Sequence, residues 1–325
     1  MDRSLYKIAN VNRMDPFLMT ITSGEDHWMY LSSTGCLTAG RKKAEHALFP
    51  YVTDDLLHRN AHFTGPVTVI RIKENNKNLV WRPFSRYEES YETEQNLYKN
   101  SLGNTVLFEE INHSLGLTFI YEWQSSSKYG FIRKSRLVNH HSNMLNVELV
   151  DGLRNIMPAS VELRTQQEMS NLANAYKVSE YSPDSNCALF FMNALLMDSP
   201  EPGESLYSNL VWSYYNGKKI ISVSEEDIDQ FADSGTLNGA HLIKGKPGCF
   251  LTKIEENLEP EDEMKWYTVA DVNKTQSEIT HIISDLRDIS NIELKLEESI
   301  GENHLLLECA VGAADGYQCT NETIN

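Results

Sequence analysis

Apolar and polar residues alternate with period two along much of the first 274 positions, the mark of strands with one buried face. The pattern is clearest over 129–163. There it predicts a strand at 131–138, a polar turn at 139–143 and a second strand at 145–150, with Asp151-Gly152 breaking the ladder. As a hairpin, this stretch is a unit from which large antiparallel sheets are built. The same grammar predicts strands at 17–22, 27–33, 67–73, 79–81, 105–111, 117–123, 249–254 and 264–270. The apolar run 188–197 (ALFFMNALLM) has the length of a strand buried on both faces. Asn216-Gly217, between strands at 208–215 and 219–223, is a hairpin signal. Helical spacing is expected at 161–176 and, behind a hydroxyl cap, at 224–232.

One segment fits neither period. Residues 35–58 (GCLTAGRKKAEHALFPYVTDDLLH) carry the basic triplet Arg41-Lys42-Lys43 and read as a long irregular stretch. Such a stretch in a compact domain is either functional or packed on a neighbour, and an ordinary surface loop is the plainer alternative.

At Thr275 the period changes to that of a helix. Thr275 and Glu278 have capping-box spacing, and Ile279, Ile282, Ile283, Leu286 and Ile289 share one face. Further helical pieces are expected at 294–300 and 304–314, stopping at Asp315-Gly316. The chain therefore divides into a β domain over 1–274 and a helical segment over 275–325. About fifty residues of helix cannot build a core alone. The apolar stripe must lie on the sandwich or on something beyond residue 325, and the ending TNETIN, just past the helix stop, favours a missing neighbour.

Charge and cysteine usage narrow the functional classes. A net charge of −17 disfavours nucleic acid and anionic membrane partners. No apolar run reaches the roughly eighteen residues that a spanning helix needs. The N-terminal MDRSLYKIANVNRMD has no signal-peptide core, so a cytoplasmic location is expected. The five cysteines are scattered without CxxC spacing, which suits buried free thiols rather than zinc or a redox pair.

Candidate chemistry is sparse. His140-His141 could shuttle protons if an acidic partner lay near, although a polar turn is where such residues are expected anyway. His58 and His62 have i,i+4 spacing but no evident third ligand, so no metal is expected. Glu109-Glu110 point to opposite faces of a strand and read as solvated charge. Trp28, Trp81, Trp123 and Tyr51 could stack on sugars, with a core role as the default. Asp54-Asp55 could bind sugar hydroxyls or cap a helix. No Gly-rich phosphate cradle and no Gly-x-Ser-x-Gly elbow is present.

Three stretches carry a resemblance. The first is the YGF strand start with Leu137 to Asn139 and then VELVDGLRNIMPA. The second is Ser199-Pro-Glu-Pro-Gly-Glu-Ser-Leu206 with Val211-Trp212, and the third Trp266-Tyr-Thr-Val-Ala-Asp271 with Ala314-Asp-Gly-Tyr-Gln318. In layout, nearly the whole chain resembles the N-terminal part of large bacterial proteins similar to cellobiose phosphorylase and related sugar phosphorylases. The resemblance implies a galactose-mutarotase-like β-supersandwich, a helical linker and then an (α/α)6 barrel, absent here, that holds the catalytic carboxylate. No catalytic residue carries over, and no cofactor is expected. The 35–55 segment departs from the family's aromatic and Arg-rich loop, but Gly35, Arg41 and Tyr51 suit a related role. The expectation is a non-catalytic domain supporting a site for an oligosaccharide or sugar phosphate. Arg41, Lys42, Tyr51 and Asp54 are its contact candidates, with a homodimer as a further partner. Two alternatives stay open: a self-contained mutarotase-like epimerase using His140 or His141 with a glutamate, and a module that dimerises through 35–58.

Overall fold

The computed structural model describes residues 5–53, 55–74, 77–85, 90–194, 205–288 and 291–314. Among these, strands form antiparallel sheets of ten, five and four strands, so the chain is mainly β, as its alternation predicts. One core unites the sheets. Phe119, Phe131 and Trp266 of the ten-stranded sheet face Ile70, Leu149, Leu153 and Phe250 of the five-stranded one, and Met29, Leu31 and Leu37 of the small sheet close its side. No helix among the described residues is long and apolar enough to cross a membrane.

The expected central hairpin is not one. Strand Gly130–Asn139 pairs with Leu117–Ser126 and Glu263–Lys274 inside the ten-stranded sheet. Strand Leu145–Ile156 pairs with Gly65–Glu74 and Gly248–Leu258 in the other layer. The polar link between them therefore crosses from sheet to sheet. The Asn216-Gly217 link does the same, because Ser208–Tyr215 pairs with Glu263–Lys274 while Lys219–Ser222 pairs with Gly248–Leu258. Alternation reports which side chains face a core but not which layer the strand joins, and both layers share that core. Asn139 ties two such corners together: its amide donates to the carbonyls of Asn143, Leu258 and Glu259 at 3.0–3.1 Å.

Asp151-Gly152 does not end a strand either, for the ladder continues to Ile156. Asp151 is buried and accepts hydrogen bonds from partners in both sheets, and a Cβ on Gly152 would lie 1.9 Å from the Phe250 carbonyl oxygen. The doublet is set by tertiary neighbours rather than by turn chemistry. The apolar run at 188–197 is shorter than expected as a strand, Cys187–Met192, and 195–204 lie outside the described residues.

The segment without a period is also regular. It holds strands Leu37–Arg41 and Ala47–Phe49 of the small sheet and a helix at Asp55–Arg59. Cys36 to Gly40 are all buried, so both faces are covered and no alternation survives. Residues 161–176 form two short helices, Leu163–Glu168 and Ser170–Tyr176.

The Thr275 capping box is present and opens helix Gln276–Leu286. Ile282 and Leu286, with Ile292, Leu296 and Ile300 of helix Ile292–Ala314, pack on Tyr129, Ile132, Trp212, Tyr267 and Val269. This part of the stripe is covered by the outer face of the ten-stranded sheet, not left for an absent neighbour. Aromatic and branched residues on that face make it apolar on both sides, which the period-two pattern could not attribute. Lys134 to Glu297 at 2.6 Å and Ser126 to Ser299 at 2.6 Å seal the seam. Farther along, Leu305 and Leu306 are each 48% exposed. Ile289 and Asp315-Gly316 lie outside the described residues.

Candidate functional site

Arg41 ends its strand with a guanidinium engaged on three sides. Nε donates to Asp26 at 2.6 Å, Nη2 to Glu25 at 3.1 Å and Nη1 to Asp271 at 3.4 Å. It thereby braces the 23–26 turn against the end of a ten-stranded-sheet strand, where Lys274 also meets Asp271 at 2.6 Å. Glu25, Asp26 and His27 bring ligand atoms within 4.8 Å of one another, a spacing that could hold a cation, but Arg41 already supplies positive charge to both carboxylates. Burial alone would raise the Asp26 carboxyl, yet hydrogen bonding and the charge of Arg41 hold it below its ordinary value. Burial, reinforced by Arg41, pushes His27 down to about 3, so the ring is neutral. Lys42 is exposed, with a left-handed backbone (φ 60°) and its ammonium 3.8 Å from Asp26. Asp54 lies outside the described residues.

His140 and His141 sit at a corner between sheets. His140 reaches Thr118 at 3.1 Å and Glu261 at 3.7 Å, and His141 Nδ1 accepts from the Asn143 amide at 3.2 Å. Neither lines any cavity described below.

Tyr51 lies in a different setting. Its backbone N–H is held by Gln166 at 3.1 Å, and its ring meets the Trp28 ring edge-on at 5.5 Å. Trp28 and Tyr30 alternate on strand His27–Ser32, share a face and stack at 6.2 Å. Gly40, directly across from Trp28, makes room for the indole: a Cβ there would fall 2.3 Å from Cζ2. Tyr30 and Tyr51 line a groove of about 420 Å³ with Leu18, Thr20, Thr53 and Lys99. The Lys99 ammonium, lowered in pKa by burial, donates to the Thr20 carbonyl at 2.9 Å. Aromatic faces beside hydroxyls and an amine match the two-sided chemistry of a sugar ring, apolar on its C–H faces and polar at its edge.

Of the four aromatics that could stack on sugars, Trp81 and Trp123 are fully buried. Trp81 donates to Glu110 at 2.8 Å, and Gln95 and the Phe84 amide also bind that carboxylate, so Glu110 is a buried acceptor rather than solvated charge.

Two further cavities adjoin one another through Glu225. One, of about 360 Å³, is lined by Asn60, Phe63, Asn155, Gln166, Asn174 and Lys177. Burial pushes the Lys177 ammonium down to about 8, and it touches the Met157 sulfur at 3.8 Å. The other, of about 310 Å³, opens at the edge of the five-stranded sheet, between the ten-stranded sheet and helix Glu226–Ser234. Tyr121 and Arg133 form its wall on one sheet, Thr68 and Arg154 on the other, and Arg82, Glu225 and Asp229 stand around it. It exists because strand Lys77–Trp81 pairs with its neighbour only from Ile70 onward, leaving the 66–69 edge open on that side among the described residues.

The sequence marked Asp151 only as a break in the ladder and did not mark Arg154 or Lys177; their surroundings alone distinguish them.

No protein-family model matches the chain, and no curated protein matches it significantly. Several solved structures align with it at low scores. A bacterial glucoamylase in complex with acarbose aligns at TM-score 0.39 and 9% identity over 92% of this chain. A protein of the human microbiome named for kojibiose phosphorylase aligns at 0.37 and 8% over 74%. An Escherichia coli K12 protein named for aldose 1-epimerase aligns at 0.39 and 8% over 80%. The chain spans 40% of the glucoamylase and 28% of the phosphorylase, but 99% of the epimerase. All three names belong to sugar-active enzymes; at these scores and identities no activity of this chain follows from them.

Proposed function

We propose that this chain is a carbohydrate-recognising β-sandwich domain that supports catalysis performed elsewhere, in a protein of the sugar phosphorylase or glycosidase kind. The observation that carries this reading is the Trp28–Tyr30–Tyr51 platform over a groove edged by Thr20, Thr53 and Lys99. Stacking supplies area at low entropic cost, and the polar rim orients hydroxyls. Arg41 contributes indirectly, by bracing the turn that leads into the platform strand. The resemblance of the three sequence stretches to the phosphorylase N-terminal region supports the assignment. In this reading the exposed Leu305-Leu306 end of the terminal helix is where a following catalytic domain packs.

Titration with cellobiose and cellotetraose, followed by tryptophan fluorescence and calorimetry, tests the proposal. Saturable binding that weakens at least tenfold in Tyr51→Ala and Trp28→Ala is expected. No binding of either sugar would overturn it. Acceleration of glucose mutarotation by the chain, read by polarimetry, would replace it with the epimerase reading.

A further inference from the structure

We propose that the cleft at the open edge of the five-stranded sheet, beside helix Glu226–Ser234, is an oxyanion-binding site anchored by Arg154, accepting a carboxylate or a phosphate group. The inference stands apart from the carbohydrate groove, because it uses different residues on different strands.

Arg154 lies on strand Leu145–Ile156, half-buried, and lines the 310 Å³ cleft. Its Nε–H is buried without an acceptor, and its guanidinium forms no hydrogen bond or ion pair among the described residues. Burial disfavours its charged form, a direction that nearby Glu225 and Asp229 only partly offset. A guanidinium remains charged at any working pH, so the mismatch persists. Buried polar groups in folded proteins are otherwise almost always paired. An unpaired one at a cavity wall therefore points to a partner that comes from outside.

The floor of the cleft repeats the motif. Arg133 is fully buried, and its Nε–H also lacks an acceptor, while its Nη groups are taken by Asp151 and Thr68. Thr34, Thr68 and Ser85 bring hydroxyls to the walls, and His62 adds an imidazole. The acids around the cleft do not cancel this set. Asp229 is paired with Arg82 at 3.3 Å, and Glu225 is exposed, where water screens its field. Among the described residues, Arg154 is thus the cleft arginine with no hydrogen-bonded acid. Its fork of donors suits a two-oxygen acceptor, which would satisfy Nε–H and one Nη together. Three arginines around one cavity also stand out in a chain of net charge −17.

The test uses the full chain at constant ionic strength, titrated calorimetrically with inorganic phosphate and with glucuronate, and with glucose as the uncharged control. Saturable binding of an oxyanion in the wild type is expected, together with at least a tenfold loss in Arg154→Gln. Arg154→Lys should recover only part of the affinity, since a point charge cannot reproduce the fork. Tyr51→Ala should leave the oxyanion affinity unchanged. Binding of phosphate alone assigns a phosphate ester as the natural group, and binding of glucuronate alone assigns a sugar carboxylate. Failure of both to saturate in the wild type overturns the site whatever the variants do, as does equal affinity in a folded Arg154→Gln. Loss of cellobiose binding leaves the oxyanion result unaffected, so the two proposals fail separately.

Discussion

Arg133 and Arg154 line one cleft from different sheets, and their surroundings differ. Around Arg133 the sheets are sealed. Asp151 sits 2.6 Å from its Nη1 and also accepts from Thr68 at 2.6 Å and Trp266 at 2.7 Å, while the Tyr121 ring lies 4.5 Å from the guanidinium. This cluster joins both layers through one carboxylate. Arg154 stands on a strand paired on both sides, near the open 66–69 edge of its neighbour, and its guanidinium has no hydrogen-bonded or ion-paired partner among the described residues. Where the two layers close, one carboxylate answers Arg133 and two further donors; beside the open edge, no acid is hydrogen-bonded to Arg154 among the described residues. The first arrangement holds the fold, and the second is available to a ligand.

Breaking the sealed side should have the largest effect. Asp151→Ala strands a buried guanidinium and removes the acceptor shared by three donors, so a loss of about 3–5 kcal/mol is expected in urea unfolding. Replacing the pair together, as Arg133→Met with Asp151→Leu, should recover most of that loss, because a packed apolar pair avoids desolvating two charges. Next comes Gly40→Val at the groove. Its side chain would collide with Trp28, cost about 1–3 kcal/mol by overpacking and displace the platform, which loss of sugar binding would report.

The pH response should be smaller per unit. His27, against the Phe131 ring, titrates near 6.5 when unfolded and at about 3 when folded. Between those values the unfolded chain binds the extra proton, so stability should fall as pH drops from 6.5 toward 3. The slope should be at most about 1.4 kcal/mol per pH unit. His27→Gln should flatten that part of a stability–pH curve, and an unchanged slope would show that another group sets it. Smallest of all is Arg154→Met, expected to leave the stability of the free chain within about 1 kcal/mol of wild type or slightly above it, because it removes a charge that had no partner. A loss as large as that of Asp151→Ala would erase the contrast between the two arginines.

Much of the site lay beyond sequence reading for the same reason that the pairing did. Tyr51 and Trp28 could be named as stacking candidates, Trp28 with a core role as its default, but their neighbour Tyr30 read as an ordinary strand residue. The room for Trp28 on the face it shares with Tyr30 depends on Gly40 from another strand. The contrast between buried Glu110 and exposed Lys42 was equally hidden, since neither residue type nor period specifies what packs across from it.

From its order of residues alone, this protein is committed to strands of alternating faces over most of its length, to a capped helix beginning after Thr275 and to an acidic surface, because these follow from local periodicity, capping chemistry and composition. Tertiary structure alone decided that 131–138 and 145–150 enter different sheets, that the terminal helices lie on the larger one and that Asp151 is a bolt rather than a break. It also decided that Arg154 has no hydrogen-bonded partner among the described residues. The cause is common to all four: layer assignment and partner choice depend on contacts between residues far apart in the chain, and a local pattern carries no record of them.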